Sequence, residues 1–161
     1  MTAHVSRGPR ITRATPSLAR AQARWIAALE PWRGLGYRPQ PLGRYLSRMA
    51  GARGVWVARG AEGAARPTVT GIVAVQDGVL LGGFVGLLAV RPSAAGRGVG
   101  RALMEHAAAH TFARRRWLYV SCDAGNDAAL RFYRKLGFAR VGRLPDLVQA
   151  GRVEILLRRG R

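Results

Sequence analysis

Apolar positions recur along this chain with two different periods, and the switches between them outline its elements. Residues 10–14 form a short extended run around Ile11. Thr15-Pro16 then reads as a helix start, with threonine as the cap and proline in the first turn, where its missing N–H costs nothing. Leu18, Gln22, Trp25 and Leu29 mark one face of this helix, and Pro31 ends it. A loop with Trp32, Gly34, Gly36 and Tyr37 follows. Leu42, Tyr45, Leu46 and Met49 then fall at i, i+3, i+4 and i+7, the mark of a second amphipathic helix packed on a core.

Beyond residue 54 the pattern turns to strands. Residues 55–59 read as one, residues 60–66 as a polar loop, and residues 68–76 and 79–90 as two more. Asp77-Gly78 is a strong hairpin signal and predicts the turn at Gln76-Asp77-Gly78. The glycines within 79–90 predict a bulge or the close approach of another backbone. A helix is expected from residue 98 to about 114, a strand over 117–122, and a helix over 127–136 stopped by Gly137. Strands over 138–143 and 153–158 close the chain. After the short first strand the order is two helices, three strands, helix, strand, helix, two strands. Hairpin neighbours joined with crossover helices imply an α/β (α+β) mixed sheet with helices on both faces. The 161 residues suit a single domain over 1–161, with 1–9 frayed.

Composition narrows the classes. Residues 71–90 are interrupted by Gln76 and Asp77, and 78–90 is too short to span a bilayer, so no membrane partner is expected. The first 30 residues lack the continuous apolar core of a signal peptide. One cysteine, Cys122, excludes an internal disulfide and fits a reducing, cytoplasmic setting. The formal charge of +19 arises from 26 arginines and one lysine against eight acids. It is spread evenly, with no basic tail, so nucleic-acid contact is expected to be nonspecific only. The oligomeric state stays open between monomer and homodimer. His106 and His110 share a helix face, but H-E-x-x-H is absent and no metal is expected.

Candidate chemistry concentrates in residues 90–103, V-R-P-S-A-A-G-R-G-V-G-R-A-L. An apolar strand ends, a loop with Gly96, Gly98 and Gly100 follows, and a helix begins at once. The first N–H groups of a helix have no internal partner, and the helix dipole adds positive potential there, so this turn suits an anion. Neither the dinucleotide fingerprint G-x-G-x-x-G nor the phosphate-loop pattern fits. A second motif, N-D-A-A-L-R-F-Y-R-K-L-G-F from Asn126 to Phe138, follows the strand at 117–122.

Together these motifs resemble the GNAT superfamily of acyl-CoA-dependent N-acyltransferases. The resemblance covers residues 68–158, with L-A-V-R-P before the loop, G-R-G-V-G-R-A-L within it and N-x-x-A-x-x-F-Y-x-x-x-G-F after the fifth strand. It implies the GNAT fold, a mostly antiparallel sheet, and an N-acetyltransferase in which acetyl-CoA and an amine bind together and the amine attacks directly. The CoA pyrophosphate would sit on Gly96, Arg97, Gly98, Val99, Gly100 and Arg101. Leu88, Ala89 and Val90 would pair with pantetheine, and a backbone N–H near Leu88 would polarise the thioester carbonyl. This strand and the one at 117–122 would splay apart. Asn126 would touch the pantetheine arm, and Tyr133 would protonate the leaving thiolate.

The chain departs from the family twice. The loop pattern Q/R-x-x-G-x-G/A begins at Ala95 in the preferred register, with Arg97 or Arg101 left to supply the charge; a register beginning at Arg97 also fits formally. The fourth strand lacks the glutamate that many relatives use as a base. Glu30 and Glu154 are the carboxylates in regions bordering the acceptor site, each otherwise an ordinary surface acid. A weakly basic amine relaxes the need for a base: an α-amine has a pKa near 7.7–8.0 and a lysine amine near 10.4. An amino-acid-like acceptor or a polypeptide N-terminus therefore fits better than a polyamine. The rival readings are a non-catalytic CoA-binding or regulatory protein on this fold, and a basic RNA- or ribosome-binding module.

Overall fold

The computed structural model describes residues 8–60 and 68–161. Most of the expected frayed start and of the 60–66 loop lies outside the described residues. Seven strands form one sheet in the order β1-β2-β3-β4-β5-β7-β6. They are β1 (Arg10–Arg13), β2 (Val55–Arg59), β3 (Val69–Val79), β4 (Gly82–Val90), β5 (Trp117–Asp123), β6 (Ala139–Pro145) and β7 (Val153–Gly160). All neighbours run antiparallel except β4 and β5, which are parallel. The parallel step is the one that needs a crossover helix, α4 (Val99–Phe112).

The expected helices form, with local reasons visible. Thr15 Oγ1 accepts from the Leu18 amide at 3.2 Å and caps α1 (Pro16–Ala21). A turn at Gln22 separates α1 from α2 (Ala23–Ala27). Gln22 is polar yet buried, because its amide donates to Leu18 O at 2.9 Å and accepts from Trp25 Nε1 at 3.0 Å. α3 (Pro39–Gly51) buries Leu42, Leu46 and Met49, the face its spacing predicts. In α5 (Asp127–Lys135) the Asn126 carboxamide accepts from the Ala129 amide at 3.0 Å, and Gly137 follows with φ 84°.

The sheet separates two cores. On one face α1, α2 and α3 enclose Ile26, Leu46, Val57, Ile72 and Leu87. On the other α4 and α5 cover Val73, Leu103, Met104, Leu118, Tyr133 and Leu157. His106 and His110 lie against Trp56, ring centroids 5.5 and 4.6 Å apart, and no group of metal-ligating side chains occurs among the described residues. Nor is any described helix long and apolar enough to cross a membrane.

One expectation from the local sequence is corrected. The β3–β4 turn is not at Gln76-Asp77-Gly78 but at Leu80-Leu81, where φ is 48° and 62°. Val79 pairs with Gly82 and Asp77 with Gly83, so Gly78, with φ 82°, is the extra residue of a bulge. The glycine supplies the left-handed backbone its signal promised, but inside the ladder, two residues short of the turn.

Candidate active site

β4 and β5 pair only through Gly83–Leu118, Phe84–Tyr119 and Val85–Val120. Beyond Val85 they part, as expected, while β5 stays paired with β7 as far as Asp123–Glu154. The parting coincides with a second bulge. Val75 pairs with Val85 but Ala74 with Leu87, so Gly86 is unmatched. Side-chain alternation breaks there: Val85 belongs to the α4–α5 core and Leu87 to the α1–α3 core. A Cβ on Gly86 would run into the hydroxyl of Tyr45, carried by α3. From Gly86 to Val90 the edge of β4 facing β5 has no strand partner among the described residues, which is what an extended ligand arm needs.

The opening is a cleft of about 430 Å³. Leu88, Asn126 and Tyr133 line it together with Glu30, Cys122 and Glu154. Ala89 and Val90 lie further along β4, Ala89 buried and Val90 partly so. Tyr133 is buried between Phe132 and Phe138, ring centroids 5.2 and 5.7 Å away. Burial, with Cys122 and Glu154 nearby, pushes its hydroxyl well above the ordinary phenol range, so it stays protonated at neutral pH. The same burial, with Glu154 and Asp123 close, pushes the Cys122 thiol up to about 11 and leaves it a poor nucleophile.

The two sequence-predicted carboxylates differ. Glu30 is exposed at the cleft mouth, and its carboxylate accepts from Arg33 Nε at 2.8 Å and from the Gly34 amide at 3.0 Å. These hydrogen bonds lower its pKa and brace the loop that carries Trp32 and Tyr37. Glu154 is 9% exposed and makes no salt bridge among the described residues. Burial raises its pKa, the nearby Asp123 adds to the rise, and the Ser121 hydroxyl and Arg152 work against it. A carboxylate with raised pKa facing a cleft is the better proton acceptor. Asp123, which local patterns did not single out, accepts from Arg152 Nε at 2.7 Å and the Gly125 amide at 2.8 Å. This pair ties the end of β5 to the turn before β7.

At the other end of β4, the glycine loop has the geometry of an anion cradle. Gly96 and Gly98 have φ 73° and 77°, and Gly98 caps α4 without a side chain. The first hydrogen bond of α4 runs from the Ala102 amide to Gly98 O at 2.9 Å. The amides of Val99, Gly100 and Arg101 precede it and meet no backbone acceptor among the described residues. Arg97 and Arg101 are exposed beside them. Gly100 faces Phe132 of α5, its Cβ position 3.4 Å from the ring. Asn126 lines the cleft, but its carboxamide oxygen is committed to the α5 cap.

The structure is thus a mixed sheet that opens between strands four and five, with a glycine cradle at the start of the helix that joins them. Comparison with known proteins agrees. Residues 21–138 match the acetyltransferase (GNAT) family model. The chain is 32% identical over 129 residues to the N-alpha-acetyltransferase RimI of Mycobacterium tuberculosis, covering 78% of each protein. Ard1 from Thermoplasma volcanium superposes with a TM-score of 0.76 at 21% identity, covering 96% of this chain and 98% of that one. A chain of the NatC complex bound to Gag peptide and CoA superposes at 0.73 with 18% identity, covering 96% and 99%. The two structural likenesses speak for the fold alone. This chain therefore belongs to the GNAT acetyltransferase family, and it is an acyltransferase.

Proposed function

We propose that this enzyme moves the acetyl group of acetyl-CoA to an α-amine, with the amino terminus of a polypeptide as the acceptor that fits best. The observation that carries the reading is the parting of β4 and β5 beside Tyr133 and Glu154, with the free amides of the α4 start following the end of β4 in the chain. The Gly96, Gly98, Val99, Gly100 and Arg101 backbone would hold the diphosphate, with Arg97 and Arg101 adding charge. Leu88, Ala89 and Val90 would pair with the pantetheine amides, and a β4 amide beside the Gly86 bulge would meet the thioester oxygen as it gathers negative charge. Asn126 would flank the pantetheine arm.

In the reaction the neutral amine attacks the thioester carbon, a C–N bond forms and the C–S bond breaks. Glu154 takes the proton the amine releases, and the Tyr133 hydroxyl gives one to the departing sulfur. Glu30 acts at one remove, holding the acceptor-side loop through Arg33 and Gly34. An α-amine is partly neutral near pH 7.3, roughly a quarter of it, so one modest carboxylate base suffices. The relative named as an N-alpha-acetyltransferase supports this acceptor class. A protein with one half-buried free thiol suits a cytoplasmic setting.

The test is a transfer assay from labelled acetyl-CoA. Peptides with free amino termini, the same peptides with blocked termini, free amino acids and polyamines are compared. Label is expected on free termini and lost on blocking. Polyamines outperforming every peptide and amino acid, or lysine side chains of blocked peptides labelled equally well, would refute the proposal.

A further inference from the structure

The end of the sheet away from the cleft carries a second arrangement. Two-residue hairpin turns with left-handed backbone at both positions favour Asn-Gly, Asp-Gly or Gly-Gly. Here the positions are Leu80 and Leu81, 59% and 82% exposed. Bulky side chains in this conformation are outliers, and such outliers point to a use. The tip is also held firmly. Asp77 accepts from Arg115 Nε and Nη2 at 2.8 and 2.9 Å, bolting the hairpin to the segment after α4. Gly82, the next residue after the turn, abuts the Trp117 carbonyl.

Arginines surround this tip from two distant parts of the chain. The β5–β7 register sets Tyr119 against Arg158 and Leu118 against Arg159. The guanidinium carbons of Arg116 and Arg158 lie 4.8 and 3.8 Å from the Trp117 ring centroid. Arg115 and Arg159 are matched by Asp77 and Glu105, whereas Arg114, Arg116 and Arg158 form no salt bridge among the described residues. Two protruding leucines thus share this end of the sheet with a group of cations held at Asp77 and Trp117.

We propose that this end of the molecule is a contact for an anionic membrane surface. Leu80 and Leu81 enter the headgroup–acyl boundary, and Arg114, Arg116 and Arg158 meet lipid phosphates. The contact is peripheral, since no described helix is long and apolar enough to cross a membrane. Charge complementarity demands an anionic partner. Two leucines are too small a patch for the apolar centre of a stable protein interface, but a bilayer accepts them without a matching pocket. Guanidinium groups already lie over the Trp117 ring, taking the π surface on which a nucleobase would stack, and RNA has no use for the leucines. Along β5, Cys122 in the cleft lies five residues from Trp117, ~17 Å at about 3.3 Å per residue, so a membrane-bound enzyme keeps the Tyr133–Glu154 end of its cleft open.

The test uses vesicles of phosphatidylcholine with a third phosphatidylglycerol, against pure phosphatidylcholine, in co-sedimentation. The wild type is expected on the anionic vesicles only. L80N/L81G installs the residues this turn prefers, so melting temperature should stay level or rise and transfer to a soluble peptide should not change. Vesicle affinity should nevertheless fall at least about tenfold. R114Q/R116Q should weaken binding far more than R24Q/R44Q, which removes the same charge elsewhere on the surface. Wild-type affinity in L80N/L81G, or equal losses in the two arginine pairs, overturns the proposal in favour of general charge. So does single-stranded RNA bound more tightly than vesicles and released by R114Q/R116Q but not by L80N/L81G, which assigns the surface to nucleic acid.

Discussion

The hydroxyl of Tyr45 occupies the space in which a side chain at Gly86 would begin. This contact explains why β4 carries no carboxylate at its bulge: α3 reaches the strand there, and only glycine lets it. Gly86→Ala is therefore expected to destabilise the fold by ~1–3 kcal/mol, the usual range for overpacking, read as a lower melting temperature together with lost transfer activity. Tyr45→Phe in the same chain removes the clashing oxygen and should recover part of both. No recovery would mean that another neighbour sets the limit.

Tyr133 is held by Phe132 and Phe138 with its hydroxyl protonated. Tyr133→Phe keeps the ring packing and removes only the donor. Turnover should fall by about 10²-fold, the lower end of what a positioned acid contributes, with CoA affinity by calorimetry nearly unchanged. Unchanged turnover would end its role as proton donor.

Glu154 ties pH to both stability and rate. Burial raises its pKa in the folded state above the unfolded value. The folded protein therefore binds this proton more tightly, so its burial costs nothing below the unfolded pKa. A destabilisation grows as pH rises through the interval to the folded pKa and persists above it. Glu154→Gln should raise the melting temperature near neutral pH and leave it unchanged in acid, below the unfolded pKa. Activity should fall by roughly tenfold or more, and the acidic limb of kcat/KM against pH should flatten. An acidic limb that survives the substitution would assign it to another group.

Gly98 combines a left-handed backbone with open space around its Cβ position. A substitution there meets backbone strain and no packing clash. Gly98→Val is expected to cost ~1–2 kcal/mol of stability and to weaken CoA binding by an order of magnitude or more, because the new side chain stands before the free amides. Calorimetry showing wild-type CoA affinity in a folded Gly98→Val protein would move the diphosphate elsewhere.

Cys122 faces the cleft with its thiol pushed up to about 11. Little thiolate exists at pH 8, so labelling by a disulfide reagent should run about a hundredfold slower than for a free cysteine of pKa near 8.5. Labelling at the rate of a free thiol would reopen covalent chemistry at this position.

What the chain reveals by itself is the local part. Thr15, Asn126 and Gly137 announce helix ends through their own hydrogen bonds and dihedrals. The spacing of Leu42, Leu46 and Met49 announces a face, and 96–100 announces bare amides, because each depends on neighbours a few residues away. The two motifs that resemble the family lie on such local elements. The tertiary structure alone decided the rest. It set the turn at Leu80-Leu81 instead of Asp77-Gly78, because register follows the pairing of whole strands and not one favourable dipeptide. It inserted β7 between β5 and β6, which brings Glu154 opposite Asp123 and into the cleft. It placed Tyr45 on Gly86, and it gathered Arg116 and Arg158 around Trp117. Strand order, register and burial are properties of contacts between segments tens of residues apart, and no local period encodes them.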